Sequence, residues 1–310
     1  MRIRVLGTAA GGGFPQWNCA CINCREARKG NEAFRPLLQS SLAISANERD
    51  WYLINAGPDV HQQIESYPAL HAGPGIRETP IAGVILTDAE LDHTIGLLSL
   101  REGSCLTIYG TENVRKTLHS SFPVFPMLQS YCSWQWKSLD PECLQQIGPS
   151  GENNEETIIV ETVPVSRKPP LYTKWKNEEF TLTDIWEVGL VFHNKKTGKC
   201  LAYFPTLEEI TTSVEESLMK ADILMIDGTF WAEDELVQMG ATERDARNMG
   251  HLPIGGSGGT AEKLAAFPAE RKILIHINNS NPVLKIGSNE RNALEGMGFE
   301  VAFDGMEVEV

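Results

Sequence analysis

Segments with strand patterning come in runs that end in helices, and this succession occurs twice, once in each half of the chain. In the first half RIRVLG, SSLAIS and WYLINAG read as strands, the last two framing the hairpin turn ANERD. DVHQQIESY follows as a helix with Asp59 suited to its N-cap. IAGVILT is then a buried strand and LDHTIGLLSL a helix with apolar Leu91, Ile95 and Leu98. LTIYG is a further strand, and TENVRKTLHSS a helix starting at Thr111. In the second half IIVETVPVS, the hairpin WEVGLVFHNKKTGKCLAYFP and ADILMIDGTF supply the strands. TAEKLAAF, RKILIHI and NERNALEGMG continue as helix, strand and helix, and FEVAFDGMEVEV reads as a final hairpin. Hairpin strands mixed with strand–helix units do not suit one strict βαβ winding. They predict an α/β fold of two mixed β-sheets packed face to face with helices outside, an αββα sandwich. It is expected as a single domain over 1–310, in two pseudo-symmetric halves of roughly 1–150 and 151–310.

A chain of 310 residues, 42% hydrophobic and 22% charged, is long enough to bury such a core. Its formal net charge of −14 disfavours nucleic acid and anionic membranes, because a phosphate tracker needs a basic face. No apolar run is long enough to span a bilayer, and the alternating MRIRVLG start is a strand rather than a signal peptide, so a cytoplasmic protein is expected. The glycines of GTAAGGGF have the wrong spacing for a dinucleotide fingerprint and precede Pro15, so they are read as a turn needing positive φ. GPSGENNEET is a polar loop, and RKPPLYTKWKNEEF a long one. The aromatic segments Phe125 to Trp136 and Tyr172 to Trp175 suit either a cleft wall or core packing.

Seven cysteines, an odd count, argue against a disulfide framework. Three of them, Cys19, Cys21 and Cys24, fall in the single stretch CACINC, with spacing that suits three thiolates of a tetrahedral structural zinc and a fourth ligand from elsewhere. A redox C-x-x-C is the competing reading, although no thioredoxin-like pattern surrounds it. TDAELDH packs four ionisable groups into a strand-to-helix junction. Thr87 and Glu90 fit a capping box, and Asp88 sits where a helix dipole favours an acid. Asp92 and His93 have no such simple account. Two distant histidines join them as candidates: His251 in the glycine-rich GHLPIGGSGGT, and His276 at the end of the apolar strand KILIHI, where a buried polar group needs a partner.

Together these segments resemble the metallo-β-lactamase superfamily. Its H-x-H-x-D-H signature aligns with Asp88, Glu90, Asp92 and His93, and its D-x-G-x-D segment with INAGPD, which has Asn55 at the first acidic place. The C-terminal half resembles the ribonuclease Z and phosphodiesterase branch, whose late histidines match His251 and His276, and whose zinc loop matches CACINC. That branch takes its fourth zinc ligand from just after the last histidine; here the segment is NNSN, with Asn279 near that place. GTAAGGGFPQWNCACINC, TDAELDHTIGLL and GHLPIGGSGGT in combination resemble the coenzyme PQQ synthesis protein B family, over the whole chain. The resemblance implies the metallo-β-lactamase-like form of the sandwich and a role in making pyrroloquinoline quinone (PQQ), a redox cofactor built from the Glu and Tyr of a peptide.

Departures from the superfamily pattern bear on the chemistry. Asp88 and Glu90 replace two histidines, Ser166 or Arg167 stands where another is expected, and Pro205 replaces the bridging aspartate. One metal is therefore expected instead of two. Asp92, His93 and His276 would form the two-histidine, one-carboxylate set of non-haem iron enzymes. The resemblance implies Fe2+ there, with Zn2+ at the cysteine loop, and hydroxylation of the tyrosine ring of the Glu–Tyr-derived precursor. His251 is expected as an alternative imidazole ligand or an acid–base group. Asp88 and Glu90 would tune the metal from behind or bind it directly. The family implies a second role as well, carriage of the cofactor or its precursor toward the periplasm over a vestigial metal site. Expected partners are the small precursor, other proteins of the same pathway and a second copy of the chain as a homodimer.

Overall fold

In a computed structural model of the protein, residues 1–102, 105–141, 143–148, 157–175 and 184–310 are described. One sheet contains β1 (Arg2–Gly7), β2 (Ser41–Ser45), β3 (Trp51–Ile54), β4 (Ile81–Ile85), β5 (Thr107–Gly110) and β6 (Gln135–Ser138). The other contains β7 (Leu144–Ile147), β8 (Ile158–Ser166), β9 (Glu187–His193), β10 (Cys200–Phe204), β11 (Ile223–Asp227), β12 (Arg271–Ile275) and β13 (Phe299–Val301). The last strand, β14 (Glu307–Glu309), crosses back and pairs antiparallel with β1. Each sheet begins with antiparallel pairs and ends in three parallel ones, β3–β6 and β10–β13. The sheets face each other through a cluster that includes Ile3, Ile44, Ile54 and Ile85 from the first and Phe192, Tyr203, Met225 and Ile275 from the second.

Helices cover the outer faces. α1 (Ile22–Arg28) follows β1. Between β3 and β6 come α2 (Val60–Glu65), α3 (Leu91–Thr94), α4 (Glu112–Ser120) and α5 (Val124–Leu128). In the second half α6 (Thr212–Lys220), α7 (Glu235–Gln238), α8 (Thr260–Leu264) and α9 (Asn289–Gly296) follow β10, β11, α7 and β12 in turn. Val114 and Leu118 of α4 pack on the outside of the first sheet with Val60, and Val214, Leu218, Leu264 and Leu294 on the outside of the second. α4 starts within one residue of the expected place, with Thr111 as its N-cap, the hydroxyl accepting from the Val114 N–H. Among the described residues no helix is long and apolar enough to cross a membrane.

The expected hairpins β2–β3 and β9–β10 form, and Gly12 and Gly13 take positive φ of 95° and 71° after β1. Four local expectations are corrected. FEVAFDGMEVEV is not a hairpin: β13 lies parallel to β12 in one sheet and β14 joins β1 in the other, because Ala302 and Met306 are buried between the sheets and carry the chain across. LDHTIGLLSL breaks after α3 into a 3-10 stretch, since the Gly96 N–H donates to the Ala56 carbonyl at 2.9 Å rather than back along the helix. Thr87 and Glu90 make no capping box: α3 begins later, at Leu91, and the Thr87 hydroxyl is engaged elsewhere. Asp59 does not cap α2, because its Oδ2 accepts from the Gln39 N–H at 2.8 Å. Trp134 and Trp136 each pack edge to face on Phe125 in the outer cluster, as core rather than cleft wall. Residues 149–156 of the polar loop and 176–180 of the long one lie outside the described residues.

The crossing segment holds a titratable group. Asp304 Oδ2 accepts from the Leu38 N–H at 2.7 Å, while Oδ1 has no partner. Burial, reinforced by Asp59, outweighs the Leu38 hydrogen bond and pushes the carboxyl up to about 7. In an unfolded chain it titrates near about 3.9, so the native state binds this proton more tightly. The stabilisation is complete below about pH 4 and is lost as pH rises through about 7. Asp304→Asn, which keeps the acceptor, should flatten the fall of melting temperature between pH 5 and pH 8. An unchanged slope in thermal melts would contradict this.

Candidate active site

The parallel strands end at one rim, where loops leave the sheets and ligands commonly sit. At the end of β3, Asn55 takes a φ of 62°. Its amide donates to Thr87 Oγ1 at 2.9 Å and its Oδ1 accepts from the Thr87 N–H at 3.0 Å. This clamps the ends of β3 and β4 together. The Val188 N–H of β9 reaches across the sheets to the Thr87 carbonyl at 2.9 Å. The chain then turns over the rim, and Asp88 is buried under it. Its carboxylate accepts from the Thr87 hydroxyl and His93 Nδ1, both at 2.7 Å, and from the Glu90 N–H at 2.8 Å. Asp88 therefore orients His93 and does not line the cleft. The bond fixes the proton of His93 on Nδ1 and aims Nε2 outward.

The far histidine arrives by the same means. His276, just after β12, has a φ of 60°, which swings its ring back over the rim. Its Nδ1 donates to Thr229 Oγ1 at 2.9 Å, and the Thr229 hydroxyl donates to Asp227 Oδ1 at 2.6 Å. His276 Nε2 comes within 3.6 Å of Asp92 Oδ2, and His93 Nε2 within 3.9 Å of the same oxygen. One donor atom from each of Asp92, His93 and His276 thus lies within 4.8 Å of the others. Both Nε2 atoms are buried without a hydrogen-bond partner. Burial opposes a charge on His93, but the Asp88 and Asp92 carboxylates outweigh it and push the imidazole up to about 10. Burial also opposes the charge on Asp92, yet His93 and His276 hold it well below the usual carboxylate range. Burial lowers His276. The cluster is a place that favours a cation.

His251 lies beside this set, its ring stacked on that of His276 at 5.5 Å between centroids. Its Nδ1 is 2.7 Å from Asp227 Oδ2. Asp227, buried at the end of β11, also accepts from the Leu207 and Thr229 N–H groups at 2.9 Å each. Asp227, His251 and His276 are close enough to hold an ion too. Both Asp227 oxygens already accept from donors, and His251 and Asp227 form a hydrogen-bonded dyad at the cleft wall.

The cleft above the cluster has a volume of about 300 Å³. Glu90, Glu187 and Arg244 line it with the apolar Leu171, Phe230, Leu236 and Met249. Burial, with Asp88 and Asp92 nearby, pushes Glu90 up to about 7, and burial beside Asp88 and Glu90 raises Glu187 well above its ordinary value. The helix bearing Asp92 is held by a close backbone approach: a Cβ on Gly57 would lie 2.3 Å from the Asp92 carbonyl oxygen. Gly57→Ala should push α3 outward, cost about 1–3 kcal/mol as overpacking, and weaken binding of a divalent cation at Asp92 and His93. Calorimetry and metal titration check both, and unaltered metal affinity would refute the second.

The cysteine loop forms a separate cluster. Sγ atoms of Cys19, Cys21 and Cys24 lie within 4.8 Å of one another. Cys19 and Cys21 accept from the N–H groups of Cys21 and Cys24 at 3.4 Å each. The Asn279 side-chain amide sits over them, its Nδ2 3.1 Å from Cys19 Sγ and 3.4 Å from Cys24 Sγ. Every residue picked from the sequence therefore falls in one of two neighbouring clusters, with Asp88 behind the site rather than in it. Asp227, Thr229 and Glu187 were missed. Asp227 carried the same signal as His276, a polar residue ending an apolar strand; Glu187 opens a strand and carried none.

A beta-lactamase superfamily domain matches residues 50–277. The chain is 44% identical over 313 residues to the coenzyme PQQ synthesis protein B of Nitrosococcus oceani, covering 99% of both chains. It is 40% identical over 313 residues to that of Pseudomonas aeruginosa, covering 100% of both. Among solved structures, Zn(2+)-bound PqqB from Methylobacterium extorquens matches 100% of both chains with a TM-score of 0.85 and 32% identity. A diphosphatase of the PhnP family shares the fold at a TM-score of 0.68 and 18% identity. With these matches over its full length, the chain belongs to the coenzyme PQQ synthesis protein B family, within the metallo-β-lactamase fold.

Proposed function

We propose that the protein is a metal-dependent enzyme of PQQ biosynthesis that hydroxylates the tyrosine ring of the Glu–Tyr-derived precursor at a single iron. The observation that carries this reading is the pair of buried, unpartnered Nε2 atoms of His93 and His276 beside the Asp92 carboxylate. Leaving buried polar atoms unpaired costs about 1–3 kcal/mol each, and a cation among them removes that cost. Two imidazoles and one carboxylate leave other positions open, as non-haem iron(II) requires. Fe2+ held there would supply the redox chemistry by which dioxygen, with two electrons from an external reductant, adds one oxygen atom to the ring as a hydroxyl and releases the other as water. Asp88 holds His93, and Thr229 holds His276, so that their Nε2 atoms and the Asp92 carboxylate would hold the ion. Leu171, Phe230, Leu236 and Met249 give the ring an apolar wall and keep water from it. His251, backed by Asp227, takes or returns the phenolic proton at its free nitrogen. Glu90 and Glu187 hold protons at the cleft wall. Cys19, Cys21 and Cys24 would hold a structural Zn2+, with Asn279 over the open face of the sulfurs.

The test is to load purified protein with Fe(II) without oxygen, add the precursor and a reductant such as ascorbate, and then admit air. Oxygen uptake with a mass gain on the tyrosine portion supports the enzyme. Tight binding of the precursor with no turnover would replace it with the carrier role.

A further inference from the structure

An acidic substrate meets an obvious obstacle in this cleft. Glu90, Asp92 and Glu187 line it, and Asp88 and Asp227 stand behind His93 and His251. Asp92 repels a ligand carboxylate here and the protonated Glu90 and Glu187 offer it no positive charge, so it needs a cation displaced from the acids. Arg244 is the one Lys or Arg among the described residues lining the cleft. Within its own loop the guanidinium donates from Nη2 to the Asn248 carbonyl. No carboxylate among the described residues lies within ion-pair distance of it, whereas Arg247, three residues further on, is paired with Glu233 at 3.4 Å.

The loop that presents Arg244 is well tied. The Arg244 N–H donates to Thr242 Oγ1 at 3.1 Å, Asn248 N–H to Asp245 Oδ1 at 2.7 Å, and Ala246 N–H to the Glu233 carbonyl at 2.8 Å. His251 N–H returns to the Ala246 carbonyl at 3.0 Å, so Arg244 and the dyad histidine belong to one hydrogen-bonded unit. Met249 of the same loop adds to the apolar wall. We propose that Arg244 is the specificity-determining residue of this site. It binds a carboxylate of an aromatic amino-acid substrate, so that the ring rests on the apolar wall and faces Asp92, His93 and His276. A guanidinium suits the task because its fork of N–H donors matches a carboxylate in two parallel bonds. The inference rests on the proposed function in one respect, that the substrate is an acidic derivative of tyrosine.

The experiment uses two probes that differ in one group, N-acetyl-L-tyrosine and N-acetyl-L-tyrosinamide, titrated calorimetrically into the full-length protein. The native protein should bind the acid about tenfold or more tightly than the amide, the effect of one charge-assisted contact. Arg244→Met should bring the two affinities to within about twofold by weakening the acid alone, and Arg244→Lys should restore part of the preference. Equal affinities in the native protein, failure of the acid to bind it, or a preference that survives Arg244→Met would each overturn the proposal. Arg244 is exposed, and the recovery by lysine separates lost recognition from lost folding. Oxygen uptake, measured apart, reports on the hydroxylation: a carboxylate preference without turnover sinks that reading and leaves this one standing, and turnover without the preference does the reverse.

Discussion

Asp92→Ala and His93→Ala are each expected to lower iron-dependent oxygen uptake by more than about a hundredfold while zinc persists at the cysteine loop. Losing a group that only orients a metal ligand costs about 10–100-fold, so losing a ligand costs more. The two variants differ in stability. His93→Ala leaves the Asp88 carboxylate buried without the imidazole that donates to it and helps keep it ionised. That should cost about 3–5 kcal/mol. Asp92→Ala, with a side chain 23% exposed, removes one of the acids crowding Glu90 and should leave the melting temperature closer to native. Metal analysis, oxygen uptake and calorimetry on the same preparations decide the matter. Full activity in either variant would end the site assignment.

Asp227 carries the second large effect. Its carboxylate collects donors from Leu207, Thr229 and His251, and through Thr229 it also sets His276. Asp227→Ala strands these buried groups together and should destabilise the fold by about 3–5 kcal/mol. Asp227→Asn is the sharper probe because it keeps shape and volume. An amide nitrogen at the Oδ2 position cannot accept from His251 Nδ1, so the imidazole is held in the wrong tautomer. Turnover should fall by about 10²–10⁴, the range of a lost acid–base group, with its pH profile altered and most of the stability kept. An unchanged pH profile in Asp227→Asn would remove the dyad from the chemistry.

How legible each part was depended on whether its cause is local. β9 and β10 could be read as a hairpin because both strands and the turn NKKTG are contiguous, and the start of α4 could be placed at Thr111 because the cap's partner, Val114, is only three residues away. The expected hairpin at 299–310 had similar local signals, and these misled. Its two strands pair with β12 and β1, whose positions no local pattern encodes. The capping box at Thr87 failed for the same reason: Asn55, thirty-two residues earlier, takes the hydroxyl's neighbourhood over.

From the residues alone came the two-sheet architecture, the clustering of three thiols in CACINC, and the adjacency of Asp92 and His93, because periodicity and short spacing are properties of neighbouring residues. The meeting of His93 with His276 across 183 positions, the retreat of Asp88 behind the site, and the union of Asp227 with His251 were decided by tertiary structure. They depend on which strand ends share a rim. That is set by the packing of both sheets at once, and by backbone turns such as those at Asn55 and His276, whose left-handed φ only surrounding contacts can hold.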